Sequence, residues 1–271
     1  MIAVLAVAGG ASLLGLGLVI QPRWAVTELA ERSPEVVYYV ETREPLVALT
    51  IDDGPDPETT PEVLEVLARH GARATFFLIG ERIEGREPLV ARIVREGHEL
   101  GNHLSRDRPS VELAAAEFEA ALLSTERALA PFGSVRWLRP GGGWYDDEIL
   151  SIAAKHGYRC ALGSVYPYDA QIPWPGFATF HISRKARPGS VIVLHDAGAR
   201  GLRTAETLRR VLPELGRRGF RVVTLSELVD SAASTDSIRL PGSGGSVRIH
   251  SLENRSRPLQ THASDRIEVE L

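Results

Sequence analysis

Residues 47–56 read Val-Ala-Leu-Thr-Ile-Asp-Asp-Gly-Pro-Asp, an apolar run that ends in two adjacent carboxylates and a Gly-Pro turn. Such a run is typical of a strand buried in a parallel sheet. Asp52 and Asp53 stand where this strand ends. Neighbours on an extended chain point to opposite sides, so the two acids are able to serve different purposes. A turn whose aspartates only bind backbone amides is equally compatible with these residues.

The same kind of run recurs along the chain, with helix-like segments between most of the copies. The seven predicted strands cover residues 47–52, 74–80, 99–103, 135–140, 159–165, 190–196 and 221–225. Alternation of strands and helices predicts a parallel sheet in an α/β fold. Seven strands favour a closed or nearly closed (β/α) barrel, although an open doubly wound sheet fits the alternation almost as well.

Composition divides the chain into four parts. Residues 2–20 are uncharged and apolar with no preceding Lys or Arg, which predicts a membrane anchor for residues 1–22; a cleaved signal segment and a buried helix are the alternatives. Residues 23–43 are predicted to be a linker or short helix, and residues 44–230 a single domain. Residues 231–271 are rich in Ser, Gly, Arg and Asn, which predicts a disordered tail.

The net charge argues against nucleic-acid binding, and the cysteine content excludes two kinds of cysteine-based site. The 271 residues carry a formal net charge of −4, so there is no basic surplus for binding nucleic acid. The single cysteine, Cys160, excludes an internal disulfide framework and a cysteine-based zinc cluster.

Four further motifs place polar side chains after predicted strands. His103 and Asp107 are four residues apart, a spacing that puts both on one face of a helical turn and suits a divalent metal. Arg139 precedes the glycines 141–143, whose amides are able to stabilise an oxyanion. Asp169 lies in a loop, and His195 ends an apolar strand. A parallel barrel gathers such strand ends at one active site.

In this order the motifs resemble those of the polysaccharide deacetylase family, also called the NodB-homology or carbohydrate esterase 4 domain, over roughly residues 44–230. The resemblance implies a distorted (β/α) barrel, a divalent metal and a carbohydrate substrate. It implies that Asp52 is the general base and that Asp53 and His103 bind the metal.

The resemblance also assigns the remaining polar residues. It implies that His195 is the general acid, that Arg139 orients the base, and that Asp169 pairs with this arginine. The backbone amide near Gly142 is expected to hold the oxyanion.

Three departures from the family pattern indicate a divergent branch. Asp107 stands where the second motif normally has a histidine, Gly141 and Gly142 replace a proline and an aromatic residue, and Ala170 replaces a tryptophan. Asp107 is still expected to be the third metal ligand, because carboxylates bind zinc and harder ions. The added negative charge favours a harder metal such as manganese.

The resulting hypothesis is metal-dependent hydrolysis of an acetyl amide or ester on a carbohydrate. One alternative is a hydrolase that cleaves another linear or cyclic amide with the same site. A second is a non-catalytic carbohydrate-binding envelope protein. The N-terminal segment predicts that the protein is anchored in a membrane and faces the cell exterior, or is secreted.

Overall fold

The structure is a computed structural model that describes residues 21–234. Its strands are β1 (Val36–Val37), β2 (Leu46–Asp52), β3 (Thr75–Leu78), β4 (Glu99–Asn102), β5 (Trp137–Leu138), β6 (Arg159–Ala161), β7 (Val191–His195) and β8 (Arg221–Val223). Its α-helices are α1 (Arg23–Arg32), α2 (Thr59–Arg69), α3 (Glu87–Arg95), α4 (Ala115–Leu129), α5 (Asp147–Lys155), α6 (Pro175–Lys185), α7 (Ala199–Arg217) and α8 (Leu225–Ser234).

The strands form one curled parallel sheet in the order β1-β6-β5-β4-β3-β2-β7, with β8 paired to β2. A parallel bridge between Val165 and Ile192 joins the chain after β6 to β7, and an antiparallel bridge joins Tyr39 to Ser190. These bridges bring the two ends of the sheet together. The distorted (β/α) barrel is therefore confirmed, and each of the seven predicted strands overlaps an observed one.

Strand β2 is the centre of the sheet, because it pairs with β3, β7 and β8. All seven of its residues are buried, as its apolar run predicts. Successive side chains alternate between layers. Val47, Leu49 and Ile51 belong to the core beneath helices α2, α3 and α7, while Leu46 and Ala48 pack with Phe77 and Trp137 inside the barrel.

The helix boundaries follow the local signals of the sequence. Helix α2 begins at Thr59 and ends before His70. Gly71 then adopts a φ of 59°, a conformation in which glycine carries no steric penalty. Helix α5 begins after Asp146, whose Oδ1 accepts the amide of Ile149 at 2.8 Å.

The packed region differs from the predicted domain at both boundaries. The segment predicted as a linker or short helix, residues 23–43, contains the helix α1 and also β1, which pairs with β6 through Val36 and Cys160. Helix α8 continues to Ser234, past the predicted boundary at residue 230. The predictions for residues 1–20 and 235–271 lie outside the described residues. Within residues 21–234, no helix combines the length and apolar character needed to cross a membrane.

Gly201 provides a test of how closely α7 packs on the end of β7. A methyl group at this position would lie 2.6 Å from Asp196 Oδ1 and closer still to Thr59 Oγ1. We expect Gly201→Ala to lower the free energy of unfolding by about 1–3 kcal/mol through overpacking, measured by chemical denaturation.

Gly216→Ala on the same helix is the matched control, since nothing lies within 4 Å of a methyl group there. It should leave stability unchanged or raise it by up to about 1 kcal/mol, as expected for alanine in a helix. Equal stability of the two variants would contradict the close packing.

Candidate active site

The carboxyl ends of β2, β4, β5 and β7 meet at one edge of the barrel and place the polar side chains there. These side chains surround a cavity of about 470 Å³. All eight residues predicted from the sequence line it: Asp52, Asp53, His103, Asp107, Arg139, Gly142, Asp169 and His195. Parallel strands make this gathering possible, because their like ends share an edge.

Arg139 is buried and makes hydrogen bonds through each of its side-chain nitrogens. Its Nη1 donates to Asp52 Oδ1 at 2.6 Å and to Thr50 Oγ1 at 2.8 Å. Its Nε and Nη2 donate to the carbonyls of Ala161 and Leu162 at 2.9 and 2.8 Å. The guanidinium is thus held rigidly and fixes one carboxylate oxygen of Asp52. This is the contact that the resemblance implies between the arginine and the residue proposed as the base.

Asp53 faces the cavity beside Asp52, contrary to the expectation that the two point to opposite sides. The reason is its φ of 76°, which ends the extended geometry of β2. Asp53 Oδ1 lies 3.5 Å from His103 Nε2. Burial raises the pKa of Asp53. The contact with His103 and the charges of His195 and Arg200 lower it by more, so that the pKa falls to about 2.

His103 is oriented by a backbone carbonyl. Its Nδ1 lies 2.7 Å from the oxygen of Arg139, and a carbonyl can only accept, so Nδ1 carries a proton. Its Nε2 is therefore the nitrogen presented to Asp53 and able to bind a metal. Burial lowers the pKa of His103, and the hydrogen bond to Asp53 raises it by more.

Asp107 lies at the rim of the cavity and is paired with an arginine. Residues 103–107 form no helical turn, since Leu104 has a φ of 62°. The Asp107 side chain is 46% exposed, and its Oδ2 lies 3.7 Å from Arg200 Nη2. The other terminal nitrogen of Arg200 donates to Asp53 Oδ2 at 2.7 Å. His103 and Asp107 therefore do not share one face of a helical turn as their spacing predicts, because the backbone turns at Leu104.

Asp169 holds His195 rather than Arg139. Its Oδ2 accepts the backbone amide of His195 at 2.9 Å, and its Oδ1 lies 3.1 Å from His195 Nδ1. The pairing with the arginine implied by the family resemblance is therefore wrong. Burial lowers the pKa of His195, but Asp169, with smaller contributions from Asp52 and Asp53, raises it to about 9.

Gly142 lines the cavity in a left-handed conformation with a φ of 68°. The amides on either side of it already have protein partners, since Gly141 donates to Ser110 Oγ and Gly143 to the Pro140 carbonyl. The role of the amide near Gly142 in holding the oxyanion stays a prediction.

Asp53 and His103 fit a divalent metal. Ligand atoms about 2.0–2.2 Å from an ion are compatible with the 3.5 Å between Asp53 Oδ1 and His103 Nε2. Within residues 21–234, no third His, Cys, Asp or Glu joins them in a group arranged to hold a metal. The predicted set of three ligands is not assembled, because Asp107 lies beside Arg200.

Two contributors to the cavity, Arg200 and helix α1, carry no strong signal in the sequence. Arg200 lies only five residues after His195, as the second residue of α7, and belongs to none of the motifs that follow the predicted strands. Val26 and Leu29 of α1 also line the cavity. They belong to the segment predicted as a linker or short helix, where no strong periodic signal marks them.

Comparison with known proteins agrees with this arrangement. The family model for polysaccharide deacetylases matches residues 39–161. A peptidoglycan-N-acetylglucosamine deacetylase of Bacillus cereus is 35% identical over 197 residues, which cover 72% of this chain and 92% of that protein. A chitooligosaccharide deacetylase of Sinorhizobium fredii is 36% identical over 200 residues, covering 69% and 93%.

Solved structures show the same barrel. A peptidoglycan N-acetylglucosamine deacetylase superposes with a TM-score of 0.69 at 30% identity, covering 72% of this chain and 93% of that one. A carbohydrate esterase 4 pseudoenzyme from Bacillus anthracis superposes with a TM-score of 0.67 at 28% identity, covering 73% and 70%. On sequence and fold together, the chain belongs to the polysaccharide deacetylase family.

Proposed function

We propose that this protein is a metal-dependent deacetylase that hydrolyses the acetamide of N-acetylglucosamine-type saccharides. The observation that carries the proposal is the register of β2 and β7, in which Asp52 pairs with His195. In-register residues of parallel strands project to the same face, so the proposed base and acid stand side by side at the cavity.

Asp52 suits the part of general base. Arg139 holds its Oδ1, which fixes the carboxylate and leaves its second oxygen to accept a proton from the attacking water.

His195 suits the part of general acid. With a pKa of about 9 it carries a proton at neutral pH, and that proton is available to the departing amine. Because Asp169 engages Nδ1, Nε2 is the nitrogen left to deliver it. An amine leaves readily only once protonated, so the acid is as necessary as the base.

Two further groups complete the proposed chemistry. Asp53 and His103 would hold a divalent cation, which supplies Lewis acidity to polarise the acetyl carbonyl and to lower the pKa of water. The amide near Gly142 would donate to the developing oxyanion. Zinc and manganese are the candidate ions, and a solved relative, a family 4 acetyl xylan esterase, contains cobalt.

The named relatives support an amide on glucosamine as the bond that is cleaved. They are deacetylases of peptidoglycan and of chitooligosaccharides. The pseudoenzyme with the same fold shows that the barrel alone does not decide activity. Here both an acid and a base are present and separately held, which favours an enzyme over a scaffold.

We also propose that residues 1–22 anchor the protein in a membrane with the barrel on the outer side. The uncharged run of residues 2–20 supports this placement. An extracellular saccharide substrate requires the same side.

Acetate release tests the proposed function directly. Purified protein supplied with zinc, manganese or cobalt should release acetate from chitooligosaccharides or peptidoglycan fragments. Asp52→Asn and His195→Ala should each slow this release by at least about 10²-fold, since each removes one proton transfer.

His156→Ala is the control, because the His156 imidazole pairs with Glu119 and does not line the cavity. It should retain near-normal activity. Near-normal release by either active-site variant would sink the acid–base assignment. Cleavage of other amides without acetate release would favour the alternative amidase.

The raised pKa of His195 gives a second test. Asp169→Asn removes the anion that stabilises the protonated imidazole, so the pKa should fall from about 9 to near or below the ordinary value of about 6.5. The measurement is an NMR titration of the histidine Cε1 protons in chelator-treated protein. A His195 pKa that stays near 9 in the variant would show that Asp169 is not the cause.

A further inference from the structure

We infer that Arg200 is an internal cation that binds Asp53 and Asp107 in place of a metal, and so weakens divalent-ion binding by this site. The inference rests on the proposed metal-dependent function. It concerns the residue that replaces the third ligand rather than the reaction itself.

The first observation is the double contact of the guanidinium. Arg200 Nη1 donates to Asp53 Oδ2 at 2.7 Å, and Nη2 lies 3.7 Å from Asp107 Oδ2. The Asp53 side chain is only 3% exposed, so this ion pair is shielded from solvent on one side. Arg200 therefore stands between the two carboxylates that the sequence predicts as ligands of one ion.

The second observation is the position of Arg200 in α7. It is the second residue of a 19-residue helix, whose first turn contains no acidic residue. A cation near a helix N-terminus is disfavoured by the helix dipole. The carboxylates of Asp53 and Asp107, which lie outside the helix, offset this cost and stabilise the arginine in this position.

The backbone around Arg200 is fixed as well. Gly198 donates its amide to Asp56 Oδ2 at 3.0 Å, which ties the start of α7 to the loop after β2. Gly201, the next residue, packs directly on Thr59 and Asp196. The guanidinium is thus carried to Asp53 by a tightly packed turn and not by a free surface segment.

Charge balance shows what the arrangement does to an ion. Asp53 and Asp107 contribute two negative charges, and Arg200 returns one positive charge. A divalent ion placed between Asp53 Oδ1 and His103 Nε2 would feel this positive charge at close range. To use Asp107 as a ligand, the ion must first displace the arginine.

Metal affinity measured with and without the arginine tests the inference. In the full chain, Arg200→Gln should bind Zn²⁺ and Mn²⁺ at least about tenfold more tightly than wild type, measured in competition with a chromogenic chelator. A tenfold change in affinity corresponds to about 1.4 kcal/mol. Arg210→Gln is the matched control. It lies on the same helix but pairs only with Glu206, so its metal affinity should equal that of wild type.

A double-mutant cycle with Asp107 gives the specific signature. Asp107→Asn should change affinity by less than about threefold in wild type, where the arginine holds this carboxylate. In the Arg200→Gln background the same change should weaken binding about tenfold, because Asp107 is then free to reach the ion.

The opposite results would overturn the inference. If Asp107→Asn alone abolishes metal binding and Arg200→Gln does not strengthen it, Asp107 is a ligand and Arg200 is no competitor. If wild type binds tightly and both variants match it, Arg200 is a bystander. If the metal affinities of wild type and the variants are as expected but no acetate is released, the result counts against the proposed function and not against the role of Arg200.

Discussion

The buried guanidinium of Arg139 is the constraint on which the site depends. Removing such a charge from water costs several kcal/mol, so it is tolerated only where nearly all its donors are bonded. Its partners come from β2 and from the end of β6, and the Phe77 ring lies under it at 4.2 Å. These partners converge only when the sheet curls into a barrel, so forming the barrel and positioning the base are one event.

The same residue also organises the metal side of the cavity. Its carbonyl holds His103, while its side chain holds Asp52. Arg139, which directly follows the two-residue strand β5, thereby sets both the tautomer of His103 and the orientation of Asp52. Replacement by lysine would keep the charge but lose the planar set of donors that reaches four acceptors.

Each charged group at the cavity has a partner of opposite sign, and Arg200 is shared by Asp53 and Asp107. Asp52 faces Arg139, Asp53 faces His103 and Arg200, and His195 faces Asp169. These pairs push the pKa of Asp53 down to about 2 and that of His195 up to about 9. Asp196, next to His195, serves a structural purpose instead: it accepts hydrogen bonds from Thr59 and Thr60 and so joins the end of β7 to the start of α2.

The sequence by itself determined seven of the eight strands, their parallel arrangement and eight of the residues that line the cavity, because strand ends follow from the hydrophobic pattern and like ends of parallel strands meet. It did not determine which of these residues touch each other. That Asp169 binds His195, that Asp107 lies beside Arg200, and that Asp53 turns toward Asp52 depend on three left-handed residues, Asp53, Leu104 and Tyr168, at the loops. Such conformations are disfavoured locally and persist only because the packed barrel holds them. A local sequence pattern therefore does not predict them.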